Sequence, residues 1–202
     1  MNKKILFILL IALVPIFSCY DLYDIYDNGV KYNLRDRGPA GGWIFYINPN
    51  YETDGWRYLE AAPVDQNGGA TMTWSSDTTN LAGTNIGIGT GKANTESIIA
   101  QNNGASSAAK VCRDYQGGGY SDWFLPSQDE IWQMCWVLHS RMYDTIDNPA
   151  YGTNRVGGFI NTYYWSSTEF GSGNAMYHRF ATGQSNNTNK TASYRVRAIR
   201  AF

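Results

Sequence analysis

Few side chains in this 202-residue sequence could do covalent or acid–base chemistry: two histidines, His139 and His178, and three cysteines, Cys19, Cys112 and Cys135. A hydrolase needs a nucleophile with a base in reach, and a serine without a placed histidine is only a polar loop residue. His139 falls at the end of a predicted helix, where a cation favours the helix dipole, and His178 lies between Tyr177 and Arg179 in a predicted strand. Neither has the spacing to complete a tetrahedral metal set with the cysteines. Glu130 stands three residues after Ser127, the pattern of a helix capping box, so its carboxyl is assigned to capping rather than catalysis. No catalytic residue, metal or cofactor is expected.

What the chain does have is recognition chemistry. It holds 15 Tyr, 7 Trp, 8 Phe and 21 Gly, and its loops add Asn and Ser, a mixture that supplies rigid contact area and adaptable hydrogen bonds at little entropic cost. Between Phe170 and Asn189 the outward candidates are Phe170, Asn174, Met176, His178, Arg179, Gln184, Asn186 and Asn187, with Ala175, Tyr177 and Phe180 supporting them. The bland alternative is that these polar loops only solvate a small sheet. Arg179, Lys190, Arg195, Arg197 and Arg200 form a local basic concentration with two readings. They could hold sulfates through charge-assisted bonds, or pair with carboxylates such as Glu60, Asp129 or Glu169; pairing is favoured because alternation sets Arg200 opposite Arg195 and Arg197.

The N-terminus sets the compartment. A short basic start, an apolar run from Ile5 to Phe17 broken by Pro15, and Ser18 before Cys19 form a bacterial export signal too short to span a bilayer. Val14 to Cys19 resembles a lipobox, which makes Cys19 the lipidated mature N-terminus and places the protein on the bacterial envelope, at the outer membrane or cell surface. Losing Lys3 and Lys4 with residues 1–18 leaves 14 basic against 17 acidic groups, a net of −3, which argues against nucleic acid as a partner. Residues 19–36 read as the lipidated cysteine and a Tyr/Asp-rich tether, with an edge strand as the alternative. Cys112 and Cys135 both lie on apolar faces of predicted helices, and two outcomes stay open: a disulfide between packed helices or two buried thiols.

Strands are expected at Trp43–Ile47 and Trp56–Ala61, and helices over KANTESIIAQ from near Thr90, over ASSAAKVCRDY, and after Ser127. Residues 66–91 read as a long surface excursion of the kind that carries binding. From Tyr151 onward the chain reads as short strands, YYWSSTE, NAMYHRFATG and ASYRVRAIRAF, joined by Gly- and Asn-rich turns, with a bulge at Ile199. Trp123 and Trp165 are assigned to the core. The class is α+β, one domain over residues 37–202.

Seven segments in order carry a family resemblance: DRGPAGGWIFY, DGWRYLEAAP, GTGKANT, GGYSDWFLPSQDEI, GGF, YWSSTE and VRAIRAF. They resemble the Lcl C-terminal domain family, with Phe124 standing where many members carry Arg. The resemblance implies a C-type-lectin-like fold, related to formylglycine-generating enzymes, with a small twisted antiparallel sheet, flanking helices and a loop-rich ligand face. It is also similar to retroelement-diversified lipoproteins, whose changeable stretch corresponds to Tyr163–Asn189. Family members include adhesins for sulfated polysaccharides. The chain has no cysteine after Cys135, so formylglycine-generating chemistry does not carry over, and the calcium triplets of sugar-binding lectins are absent. The expected function is a monomeric, lipid-anchored, non-catalytic binding module for a glycan, sulfated or not, or a protein. The alternatives are an assembly lipoprotein with a fixed partner and, behind it, an enzyme on the formylglycine-generating frame.

Overall fold

A computed structural model describes residues 31–139 and 155–202; residues 1–30, with the export signal and Cys19, and residues 140–154 lie outside the described residues. The compact unit runs from Tyr32 to Phe202. Tyr32 meets Tyr58 and Phe202 edge-on, and Arg35 is buried with its amide donating to the Ile44 carbonyl. Residues 32–36 are therefore part of the domain rather than tether, because Tyr32 and Arg35 find packing there.

Helices combine with antiparallel ladders, an α+β architecture. The strands are β1 (Trp43–Ile47), β2 (Tyr58–Ala61), β3 (Met72–Thr73), β4 (Tyr163–Glu169), β5 (Asn174–Arg179), β6 (Gln184–Asn189), β7 (Ser193–Tyr194) and β8 (Ile199–Ala201). They form three small sheets, ordered β1-β2-β8, β3-β7 and β4-β5-β6. The helices are a single turn α1 (Tyr51–Asp54), α2 (Gly91–Gln101), α3 (Ala108–Arg113) and α4 (Gln128–Leu138). Ser107 caps α3 by accepting the Lys110 amide, and Ser127 with Glu130 forms the complete capping box of α4. That start fixes the rotation of α4, which buries Ile131, Met134, Cys135 and Leu138 at helical spacing against β1, β4 and β5.

Strand alternation divides the core in two. Trp165 points into one cluster with Trp74, Ile98, Ala109 and Trp123, while its neighbour Tyr164 points into the other with Phe45, Leu59, Ile131, Phe159 and Phe180. β4 is thus a wall shared by both clusters, since successive strand residues face opposite ways. Trp123 and Trp165 are interior, as their sequence context implies.

Two expectations about the strands need correction. QSNNTN, read as a turn, is the edge strand β6: each residue from Gln184 to Asn189 pairs with β5, and the tight turn at Gly183, where φ is +70°, sets that register. The terminal segment does not run as one alternating strand. All five residues from Val196 to Arg200 are buried, and only Ile199–Ala201 ladders with β2, while Ile199 bridges to Phe124 on its other side.

So short a set of ladders leaves many backbone amides to be satisfied otherwise. Buried carboxylates do this. Glu60 accepts from Gly42 at 2.6 Å and Ala40 at 3.1 Å; Glu130 accepts from Ser127 at 2.6 Å and Gly89 at 2.8 Å; Glu169 accepts from Ala82 at 2.9 Å and Gly83 at 3.3 Å. The 66–91 segment runs over the surface as expected, but it is pinned to β4 and α4 by these carboxylates and anchored by the fully buried Trp74.

Two adjacent glycines separate close approach from backbone freedom. A Cβ on Gly42 would lie 2.1 Å from the Ala61 carbonyl oxygen and 2.9 Å from Glu60, whereas Gly41 has open space around it but a φ of +76°. Gly41→Ala should cost about 1–2 kcal/mol through its left-handed backbone. Gly42→Ala should cost more than about 3 kcal/mol, as overpacking and loss of the Glu60 contact combine. Urea unfolding of both variants checks this, and equal costs would refute the close-approach account.

Candidate functional site

Registered pairs on neighbouring strands share a face, so the β4-β5-β6 sheet presents two rows on one side: Tyr163, Arg179 and Gln184, then Trp165, Tyr177 and Asn186. Trp165 is locked below them, its indole N–H donating to the Met72 carbonyl at 2.9 Å. Tyr194 from β7 ties the rings together, stacking on Tyr163 at 5.0 Å and meeting Tyr177 edge-on at 4.9 Å, while Tyr163 and Tyr177 touch at 5.3 Å. Above this aromatic floor Tyr163, Tyr177, Arg179, Gln184, Ser185 and Asn186 line an open groove of about 440 Å³. The Arg179 guanidinium stands 5.6 Å from the Tyr163 ring.

Of the residues singled out in the sequence, the groove gathers Arg179, Gln184 and Asn186. Asn174 and Asn187 are half-buried and bonded to each other at 3.2 Å, Met176 is half-buried opposite Asn187, and Phe170 is 63% exposed in the β4–β5 turn and does not line the groove. His178, expected outward, is only 1% exposed: it pairs with Tyr164 and Ser185 on the opposite side of the sheet, where the ring packs edge-on against Phe180. Ala175 and Phe180 are buried supports, but Tyr177, also assigned to the frame, forms part of the groove. Tyr163, Ser185 and Tyr194 were not among the candidates. The signal for Tyr163 was present, a tyrosine at a strand start within reach of a partner strand with Tyr at the matching parity.

The basic residues largely turn inward. Lys190 pairs with Glu169 at 2.5 Å, Arg195 and Arg197 both reach Asp65 at 3.0 Å and 2.6 Å, and Arg200 joins Asp122 at 2.9 Å and Glu60 at 3.3 Å. Arg179 is the only exposed member of the five. Pairing with carboxylates thus accounts for four of them, through Glu60 and Glu169 as expected and through Asp65 and Asp122 in addition.

Cys112 and Cys135 are free thiols, one in each core cluster, so of the two outcomes left open the structure has the buried thiols. Burial pushes both pKa values up, Cys135 to about 12, which leaves neither as a nucleophile at neutral pH. Among the described residues no group of three or more His, Cys, Asp or Glu could hold a metal ion. His139 is buried as well, with Phe159 and Phe180 against its ring, and burial lowers its pKa, so it is not the helix-end cation expected.

Burial also lowers His178 to about 4. Above the ordinary imidazole value near 6.5 the group is neutral in both folded and unfolded chains. As pH falls below that value only the unfolded chain takes the proton, so stability is lost between about 6.5 and 4. The loss from this residue is on the order of 3 kcal/mol at 1.36 kcal/mol per unit. Urea unfolding across that window should show a flatter slope for His178→Phe than for the parent; identical slopes would contradict the assignment.

No curated protein matches the sequence. The family model for the Lcl C-terminal domain matches residues 59–200, a span that runs from β2 into β8 and includes every residue of the groove. The chain belongs to the Lcl C-terminal domain family.

Proposed function

We propose that this protein is a non-catalytic binding module of the bacterial envelope, exported, lipidated at Cys19, and adhesin-like in gripping a glycan or protein with its β4-β5-β6 groove. The observation that carries the reading is the floor of Tyr163, Tyr177 and Tyr194 flanked by one exposed guanidinium and two exposed amides, Gln184 and Asn186. Rings held by one another lose little entropy when a sugar face or a peptide plane stacks on them. Arg179 supplies a charge-assisted donor, and the amides supply donors and acceptors that fix orientation. The groove is open and shallow, a shape for an extended ligand rather than for enclosing a reacting atom. We read the frame as C-type-lectin-like, with Tyr163–Asn189 as its ligand-facing stretch.

With four of five nearby basic groups consumed internally, the ligand is gripped by stacking and hydrogen bonds more than by charge. A glycan and protein array probed with the full-length protein should return a ligand whose affinity changes little with moderate salt. Tyr177→Ala and Arg179→Ala should each weaken it about tenfold or more, the usual cost of an anchor at the centre of a contact. Unchanged affinity in both variants would refute the groove as the site.

Anchoring is tested separately. Cys19→Ser should move the protein from the membrane fraction to the soluble one, because the acyl chains supply the membrane affinity. Membrane association that survives the substitution would exclude Cys19 as the anchor.

A further inference from the structure

β6 is an outer strand of the β4-β5-β6 sheet, and among the described residues nothing pairs with its far side. The ladder fixes which of its main-chain groups are left over, because in an antiparallel pair the residues that exchange hydrogen bonds alternate with those that do not. The Lys190 amide donates to the Gly173 carbonyl at 2.9 Å, one step beyond the Asn174–Asn189 pair, so the bonded positions counted back along β6 are Thr188, Asn186 and Gln184. Ser185, Asn187 and Asn189 lie between them and turn their N–H and C=O groups away from β5. Asn186 Oδ1 takes the Asn187 amide at 2.8 Å. The outward amides of Ser185 and Asn189 have no such cover among the described residues.

Exposed edges are usually blunted by a charge, a proline or a bulge. QSNNTN has none of these, and its pairing with β5 runs from Gln184 to Asn189 without a break in register. The groove reaches this edge. Gln184 and Asn186 line it from the sheet face, whereas Ser185 has the opposite parity and turns its hydroxyl to His178 at 3.0 Å, yet still belongs to the lining, so the groove there runs over the margin of the strand. Main-chain groups that recur at every second residue, about 6.8 Å apart, match another extended peptide, whose own N–H and C=O groups recur at the same interval. The hydroxyls of a sugar do not. Arg179 is the only charged side chain in the lining. A strand added to β6 lies two strand spacings from β5, about 10 Å, a gap that an arginine and a glutamate side chain bridge together.

We propose that the groove takes an extended acidic peptide segment of another protein, which adds to β6 as a fourth strand and sets a carboxylate against Arg179. This rests on the groove being the binding site, and it narrows the ligand from a glycan or protein to a strand-forming stretch of protein. Main-chain pairing with the outward groups of β6 supplies affinity, and the side chains on the groove face supply the choice of sequence.

The test is a randomised, proline-free library of N-acetylated, C-amidated octapeptides screened with the full-length protein. Bound members should be enriched in Asp and Glu. The strongest is then remade with N-methyl groups on either alternate set of its amides: one set should abolish binding and the other should leave it within a few-fold. Exchanging its acid for the amide should weaken binding about threefold or more in the parent and not in Arg179→Ala. Because the Ser185 amide faces away from β5, proline there removes no ladder bond, and Ser185→Pro should bind at least tenfold more weakly than Ser185→Ala, which loses the same hydroxyl. Thermal unfolding shows whether Ser185→Pro is folded; where it is not, the N-methyl pair decides. Peptide binding that tolerates both N-methyl sets overturns the proposal, as does equal binding by the two folded Ser185 variants. Self-association of the parent that Ser185→Pro abolishes assigns the edge to a second copy and overturns it too. If the library yields nothing while a glycan binds and is lost in Tyr177→Ala, the groove stands and this proposal falls; unchanged affinity for the selected peptide in both Tyr177→Ala and Arg179→Ala removes the two together.

Discussion

Buried carboxylates bear on every other feature of this fold, because they replace the backbone pairing that its short strands cannot supply. Glu60 and Glu169 each take two main-chain N–H groups from a loop that has no ladder of its own, and Glu130 takes one from Gly89 and one from the N-cap of its own helix. Charge-assisted bonds of this kind are roughly twice as strong as neutral ones, but a buried charge is costly unless compensated. Arg200 compensates Glu60 and Lys190 compensates Glu169. Glu130 is held by amides rather than by a cation among the described residues, and burial accordingly raises it to about 7, while burial outweighs the bonds to Glu60 and raises that group too. Asp65 is a fourth such centre, accepting from Tyr164 at 3.0 Å as well as from Arg195 and Arg197. It ties the exit of β2, the wall strand β4 and the terminal segment at a single point.

This arrangement explains why glycine-rich motifs far apart in sequence belong together. The carboxylate of YLE sits where side chains on Gly38 or Gly42 would be, and the carboxylate of QDE sits 2.2 Å from where a Cβ on Gly91 would project. Each glycine motif is the receptor for an acid in another motif, and the cations from Lys190 to Arg200 close the set. A change in one member leaves a buried partner unsatisfied, at about 1–3 kcal/mol or more for a charged group.

Local chemistry made much of this visible in the sequence. Ser127 and Glu130 announced α4 through their spacing, and Trp43–Ile47 and Tyr163–Glu169 have the bounds that their aromatic and branched residues imply. What stayed hidden was long-range. QSNNTN has a single residue that favours strands, Thr188, among amides that do not, and it is a strand because β5 offers an unpaired edge one tight turn away. His178 has the same parity in β5 as Met176, but the packing of α4 on one end of the strand buries the first and leaves the second half-open. The five basic groups could be assigned to carboxylates in general, yet Asp65 and Asp122 as partners depend on contacts 78 to 132 residues distant. The stacking of Trp132 on Trp136 in α4 was readable in principle, since residues four apart meet on a helix surface.

The two-residue period of the strands gives the sheet a division of labour that bears on how such a module can change what it binds. In β5 and β6 the groove takes Tyr177, Arg179, Gln184 and Asn186, while the intervening His178 belongs to the α4 side and Ser185, at the groove's edge, turns its hydroxyl toward it. Arg179, Gln184 and Asn186 are exposed, and none of the buried carboxylates depends on them. Replacing these three alters the chemistry offered to a ligand without opening a cavity or stranding a buried charge, the two routes by which single substitutions become severe. His178, Trp165 and Lys190 lack that freedom, because each already satisfies or fills something inside. The same strand can therefore tolerate variation at alternate positions, with the pinned carboxylates keeping the register that makes the alternation hold.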